Sequence, residues 1–553
     1  MRHASKFLKL LKNIVKRFLS RVMDMADYLL HIVGMATPIL VLLSFAIPVI
    51  SKAFKSKRAP FVAAMIGGIY AAVASVLALY MVYKDNSPLV YMYGGWPPHF
   101  GIAYEIDYFN GLIGVFTALT MLAIMLYSLW YEHHIDEPTW YFALLLGLEA
   151  GILGCLYTGD AFNLFVMIEV LSISAYGLVA YHRDRPEAVE AAAKYILIGA
   201  VATIMYFIAV VLLYAGFGTV NMAILSRIAM RPELPQSLKY LAMLSISLAL
   251  WVFTYKSALF PNHFWLPDAH PEAPTPISAA LSGLVVNVGV YASARFLYTL
   301  FGDGSAVSGY REFVLLALFV LGTVSGVLGA LMMMIQRDVK RLLAYSTICH
   351  IGIIYVGLAA GFAIGSAEAV KLALMGTSIH IVAHGISKAV LFMASGIFID
   401  ATGSRDLDAM KGVGRRYPLA SLSLILGFLN LAGLIPFMGF YSKLLIALSY
   451  LKIGFVLGTI LIIVISALSI PGYMKAISAI VFGVGEAKEG RVAGRWVEVM
   501  LLIMSLSTLF IGIFFQQAAY IFDYSSNSLV SGVQNYVDAV IKKIPPELRG
   551  WIP

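Results

Sequence analysis

The sequence predicts an all-α polytopic membrane protein of about fourteen transmembrane helices, and three observations carry that reading. Hydrophobic residues fill 60% of the 553 positions and charged residues only 12%, far from the balance of a soluble domain. Apolar runs of about 20 residues, the length that crosses a bilayer as a helix, recur near 32–51, 61–83, 108–130, 139–157, 161–181, 194–216, 238–260, 275–301, 312–334, 342–363, 370–399, 419–450, 453–480 and 497–521. Two of these runs, the seventh and the twelfth, are interrupted by proline or glycine at matching places.

Residues 1–30 precede the first span. Leu8, Leu11, Val15, Phe18 and Val22 fall at helical spacing, with Lys9, Lys12, Lys16 and Arg17 on the remaining surface. That pattern predicts a basic amphipathic helix lying at the membrane interface. It lacks the apolar core and cleavage site of a signal peptide and is expected to be retained. Spans 1–3 occupy 31–135. Basic residues gather after odd-numbered spans: Lys52, Lys55, Lys57 and Arg58 after span 1, Arg183 and Arg185 after span 5, Arg337, Lys340 and Arg341 after span 9, Arg405, Lys411, Arg415 and Arg416 after span 11, and Lys475, Lys488, Arg491 and Arg495 after span 13. The positive-inside rule places those loops in the cytoplasm. Both termini then fall outside, and the basic N-terminal segment argues against that placement. Membrane orientation, rather than nucleic acid, accounts for the net charge of +9.

Span 7 ends YKSALFPNHFWLP, with Lys256 before Pro261, and span 12 reads GLIPFMGFYSKLL, with Pro436 and Gly439 before Lys443. A broken apolar segment recurring five spans later, with one lysine at each break, is the sign of an internal repeat with discontinuous helices. Spans 4–8 (136–305) and 9–13 (306–482) are therefore read as two inverted five-helix units, followed by span 14 and a tail (483–553).

An ionised side chain at bilayer depth costs several kcal/mol unless it is paired or wet, so charges inside spans mark candidate sites. Glu169, in NLFVMIEVLSISAYG, reads as a proton-exchanging carboxylate near a cation, against the plain alternative of an inert protonated carboxyl. Lys256, in ALWVFTYKSALF, is its expected partner. Closing and opening such a pair moves a proton, whereas a static salt bridge does not. In span 11, SIHIVAHGISKAVLFM sets His380, His384 and Lys388 four residues apart on one helix face. Zinc there lacks a third ligand, haem lacks opposed histidines, and a proton relay suits groups that titrate near neutrality. Lys443 reads as a terminal proton acceptor, or as a lysine snorkelling to the interface. In QRDVKRLLAYSTICHIG the initial charges read as helix-end and orientation signals. Ser346 and His350 beyond them line a hydrated path or fill the core.

Cys155 and Cys349 sit inside apolar runs without CxxC or Cys/His spacing, which suggests no zinc, iron–sulfur or disulfide framework. No phosphate-cradling loop and no GxGxxG unit is present. No cofactor and no metal is expected on the chain, and its energy must come from an ion gradient or a partner.

LPDAHPEAPTPISA, RDVKRLLAYSTICHIG and IHIVAHGISKAVLFMASG, in that order, resemble the antiporter-like subunits shared by Mrp-type sodium/proton antiporters, membrane-bound hydrogenase-related respiratory complexes and complex I. The likeness runs from about residue 100 to 480. It implies fourteen helices with inverted repeats, and a polar axis of Glu169, Lys256, the histidines with Lys388, and Lys443. It also implies that LPDAHPEAPTP turns the chain from broken span 7 into span 8, with Asp268, His270 and Glu272 towards the cytoplasm. Relatives carry Lys or His in the middle of span 8, where this sequence has Asn287. The tail lacks the long lateral helix of the distal complex I subunit, so the D-type Mrp and inner complex I subunits are the better match. The resemblance implies a proton- or cation-translocating subunit, moving H+ and also Na+ in some relatives, among other membrane subunits of a multi-pass cell-membrane assembly. The rivals are a scaffold that no longer transports, supported by Asn287, and a quinone-binding redox protein, disfavoured by the lack of cofactor ligands.

Overall fold

A computed structural model describes residues 27–362, 366–485 and 494–551. Nearly all of the amphipathic N-terminal segment, together with Lys488 and Arg491, lies outside the described residues. Among those described, thirteen helices are long and apolar enough to cross a membrane. Spans 1–6 are Ala36–Phe54, Ala59–Asp85, Tyr108–Trp130, Pro138–Tyr157, Ala161–Val179 and Pro186–Phe217. Span 7 is Gln236–Lys256, and spans 8–11 are Thr275–Leu300, Ser308–Ile335, Val339–Phe362 and Ala367–Thr402. Spans 13 and 14 are Val456–Phe482 and Arg495–Ile513. Span 12 is split into Pro418–Ala432 and Met438–Lys452, neither half of which crosses alone. Spans 8, 10 and 11 are almost wholly enclosed by the others, while spans 1 and 14 lie at the rim. Apolar side chains such as Phe45, Leu197, Val201, Ile463 and Ile503 cover the outside, the reverse of a soluble surface and the cover a bilayer favours.

The two halves repeat in detail. Spans 4 and 5 touch where Gly151 meets Leu171, and spans 9 and 10 where Gly329 meets Cys349. A Cβ on either glycine would strike the facing backbone at under 3 Å, so only glycine lets these helices close. Asp160 caps span 5 by accepting from the Asn163 amide. Asp338 caps span 10 by accepting from the amides of Lys340 and Arg341. The residue steps 151 to 329, 160 to 338 and 171 to 349 are the same interval. Each capping aspartate also forms a backbone bridge to the segment after the following span, Asp160 to Asn221 and Asp338 to Asp406.

Each break is held open by side chains that take over the lost helical bonds. After Lys256 the chain turns through Ala258, at φ 54°, and resumes as the short helix Leu266–Glu272. Asn262 donates to Thr254 Oγ1, and the Trp265 indole donates to the Tyr255 carbonyl. In span 12 the first half ends at Gly433, φ 82°, a conformation that costs other residues energy. Asn430 spans the gap there: its amide nitrogen donates to Ser387 Oγ and the Ala383 carbonyl, while its oxygen accepts from the Gly439 amide.

Four features escape the hydropathy pattern. Strands β1 (Leu89–Met92) and β2 (Ala103–Ile106) pair antiparallel, Leu89 opposite Ile106, and runs of four residues carry too little pattern to be read. The helix Met222–Ala229 and the tail helices Phe515–Leu529 and Val533–Lys542 are likewise too short or too polar to register as spans. The loops after odd spans share one face, joined by Arg183–Glu137 at 3.0 Å, Arg405–Glu272 at 3.0 Å and Arg405–Asp338 at 3.1 Å. The basic loops grouped by sequence thus lie together.

Candidate ion-translocation axis

Span 5 brings Glu169 and Ser172 to one face, one helical turn apart. Lys256, fully buried at the end of the first half of span 7, reaches Ser172 with its ammonium, Nζ to Oγ 2.5 Å. The rings of Tyr176, Tyr195 and Tyr255 stand 5.4–5.6 Å from the nitrogen, so the cation is held by π faces as well as by the hydroxyl. The expected contact pair is therefore corrected. Glu169 makes no salt bridge with Lys256 within 4 Å, and one of its enclosed oxygens has no protein partner. Ser172 is the direct ligand of the ammonium in its place.

The second half is richer. Ser172 corresponds by the repeat interval to His350, which joins spans 10, 11 and 13 directly and span 12 through His380. Its Nδ1 lies 3.0 Å from His380 Nε2 and its Nε2 lies 2.5 Å from the Tyr473 hydroxyl. His380 Nδ1 lies 2.7 Å from Ser442 Oγ, and Ser346 Oγ lies 3.2 Å from Tyr473. The proton positions follow from one end. Ser442 donates to the Gly439 carbonyl, so it accepts from His380 Nδ1–H. His380 Nε2 then accepts from His350 Nδ1–H, and His350 Nε2 accepts from Tyr473. All members can be neutral, and every bond points the same way.

Among the sequence-predicted ladder residues, His380 is thus bound across to span 10 rather than along its own helix. His384 is buried with no protein partner at either nitrogen. Lys388 donates to the Leu343 carbonyl at 3.0 Å. The same carbonyl accepts from Thr347, itself 2.6 Å from Ser282 of span 8. Lys443 donates to the carbonyls of Leu431 and Ala432 at 2.7 and 3.1 Å, the negative end of the first half of span 12. It is buried rather than snorkelling. Asn287 of span 8 donates to the Gly283 carbonyl of its own helix at 2.7 Å, and its oxygen has no protein partner.

On the face of the odd-span loops, Asp268 accepts from Lys194 and Arg341. With Glu272, Asp338 and Arg405 these residues line a cavity of about 360 Å³. His270 does not join them. It is buried against Phe392 with both nitrogens lacking a protein partner, because the short helix Leu266–Glu272 turns that side inward. Lys340, read from sequence as a helix-end and orientation charge, is also buried. It donates to the Ala273 carbonyl at 2.8 Å and so caps the second half of span 7.

Sequence reasoning passed over Glu149, buried with neither oxygen bonded to protein, and Arg295, paired with Asp107 at 2.7 Å. Both lie inside apolar runs, and the rule that singled out Glu169 would have found them. Tyr473 and Ser442 carry no such signal. Near Arg295, Glu105 of β2 accepts from Asn221 at 2.6 Å, and burial pushes its carboxyl up to about 7.

Two inverted halves, each broken beside a buried lysine and the second carrying enclosed histidines, define a class of polytopic membrane protein built around an ionisable interior. The chain belongs to the family described as NADH:quinone oxidoreductase/Mrp antiporter, TM, which it matches over residues 158–469. It is 34% identical to the N subunit of the NADH-quinone oxidoreductase of Desulforudis audaxviator (strain MP104C), over 70% of this chain and 75% of that one. It is 29% identical to the D-type subunit of the Na(+)/H(+) antiporter of Bacillus subtilis (strain 168), over 81% and 88%. Among solved structures it superposes on a chain of the membrane-bound sulfane sulfur reductase, an archaeal respiratory membrane complex, with TM-score 0.82 and 27% identity, covering 92% of this chain and 99% of that one. A chain of the Mrp complex from Dietzia sp. DQ12-45-1b shares the fold at TM-score 0.79 and 23% identity, covering 92% and 99%.

Proposed function

We propose that this chain is a proton- and cation-translocating subunit of an Mrp-type antiporter module, seated in the cell membrane beside other membrane subunits of a redox-driven respiratory complex. The bonded series Ser346–Tyr473–His350–His380–Ser442 carries the reading. A series with every donor pointing one way passes a proton by handing each hydrogen to the next acceptor, and reverses its polarity afterwards. Lys388 and Lys443 flank it as buried cations whose charge governs whether an imidazole accepts a proton. In the first half, Glu169 acts on Lys256, and Ser172 holds the ammonium between transfers. No bond is made or broken on the chain beyond these proton transfers.

A second reading, a membrane scaffold, is favoured by Asn287, whose amide is tied into its own helix where an ionisable group would relay a proton. Proton and sodium flux in vesicles holding the assembled complex separates the two. Glu169→Gln and Lys256→Met should each abolish flux while the complex still assembles, because the first keeps shape and the second replaces a buried cation by an apolar chain of similar length. Parental flux in both variants would leave the scaffold.

A further inference from the structure

We propose that His133, His134 and Asp400 form a binding site for a divalent transition-metal ion of the zinc class, which clasps the end of span 11 to the end of span 3. The two histidines sit in the single helical turn Tyr131–His134 that follows span 3. Asp400 comes from the last turn of span 11, so the group joins residues 266 positions apart. His133 Nε2 and His134 Nε2 lie 2.9 and 2.8 Å from the same oxygen, Asp400 Oδ1. The ligand atoms of the three residues all fall within 4.8 Å of one another.

The hydrogen bonding of this group leaves room for a positive charge between its ligand atoms, supplied either by extra ring protons or by a bound cation. His133 Nδ1 lies 3.1 Å from the Trp130 carbonyl, which can only accept, so Nδ1 carries the hydrogen. In the neutral ring Nε2 then offers a lone pair, and that lone pair faces a carboxylate oxygen that also only accepts. Two acceptors at 2.9 Å repel unless a positive centre lies between them, and a metal ion there takes the place of the second ring proton of an imidazolium. An imidazole that donates its distal N–H to a backbone carbonyl while its other nitrogen meets a carboxylate is the arrangement of a metal-ligating histidine with its outer-sphere partner. The second Asp400 oxygen is buried with no partner. It marks a carboxylate, 8% exposed, whose charge the protein itself leaves partly unanswered.

Two imidazole nitrogens and one carboxylate oxygen suit zinc, nickel or copper rather than magnesium or calcium, which prefer oxygen throughout. Metal–ligand bonds of about 2.0–2.2 Å require the nitrogens and the oxygen to part by a few tenths of an ångström around the ion. His134 is 40% exposed, so its loop has room to give, and water completes the coordination. No residue of the ion-translocation axis takes part. The site therefore stands whether or not the proposed transport reading holds.

The test uses the assembled complex, stripped with a chelator and titrated with Zn2+ against a chromophoric competitor, in the parent and in His133→Gln/His134→Gln. Both histidines lie on a partly exposed turn, so the variant is expected to assemble, as gel filtration checks. The expected result is one equivalent of Zn2+ per copy of this chain lost in the double variant, and affinity weakened at least about tenfold in either single variant. Co2+ should give visible d–d bands in the parent that the double variant lacks. Equal zinc stoichiometry in parent and double variant would overturn the proposal, as would cobalt bands that persist unchanged in the variant.

Discussion

Lys256 and Lys443 stand at corresponding breaks but answer to different partners, and the difference lies in single atoms. Lys443 takes two backbone carbonyls at the end of a half-helix, a ligand set that no side-chain substitution removes. Lys256 depends on one hydroxyl, Ser172 Oγ, which in turn donates to the Ile168 carbonyl. Ser172 is thus a positioning residue that sequence reading did not single out. Ser172→Ala leaves a buried ammonium with aromatic faces alone, at a cost of about 1.5–3 kcal/mol for a lost charge-assisted hydrogen bond. Proton flux in that variant should fall at least about tenfold, with assembly intact, and Ser172→Thr should restore most of it because the hydroxyl returns. Equal flux in the alanine variant and the parent would show that Lys256 does not rest on Ser172 during transport.

At the scale of elements, the enclosed spans 8, 10 and 11 decide how the halves communicate. Span 8 passes so close to span 11 that a Cβ on Gly283 would sit 2.8 Å from the Gly385 carbonyl. Asn287 lies one turn beyond that contact. Its nitrogen is spent on the Gly283 carbonyl, so only its oxygen, which has no protein partner, is left to hold a water. Asn287→Leu, similar in size and without that oxygen, should cut proton flux sharply by drying the passage, whereas Asn287→His should match or exceed the parent because an ionisable group replaces the amide. Flux is compared at equal assembly. A leucine variant that transports like the parent would mean that the halves do not exchange protons through span 8, and the scaffold reading would gain.

Over the whole molecule, the buried charges away from the axis govern stability. Arg295 and Asp107 tie span 8 to the start of span 3, where Asp107 also accepts from the amides of Phe109 and Asn110. Glu105 lies beside this pair on β2, and its carboxyl is raised from the usual 4.5 to about 7 by burial. Between those values the folded protein holds a proton that the unfolded chain has released, so stability falls as pH rises from about 4.5 to 7 and is level above that on account of this group. Glu105→Gln keeps an oxygen for Asn221 and removes the titration. Its melting temperature should equal that of the parent near pH 4 and exceed it above pH 7, by at most about 3 kcal/mol of stability. A parent–variant difference that does not change with pH would show that Glu105 is not protonated in the fold.

The number of spans, the two breaks, the grouping of basic loops and the lysines and histidines of the axis are all legible in the residues alone. Hydropathy and the cost of charge in a bilayer are properties of residues read one run at a time, and they survive without knowledge of neighbours. The same reading singles out Glu169 and Lys256 but not the hydroxyl that holds Lys256, since a serine inside a span carries no penalty that would mark it. That His350 meets His380, that Tyr473 and Ser442 extend the series, and that Lys340 and His270 turn inward from a loop are matters of packing. They depend on which helix faces meet, and no single run of sequence carries that information. The same holds for His133 and His134: beside one another in the sequence they are an ordinary loop pair, and they become a candidate ligand set because span 11 delivers Asp400 to 2.9 and 2.8 Å from them.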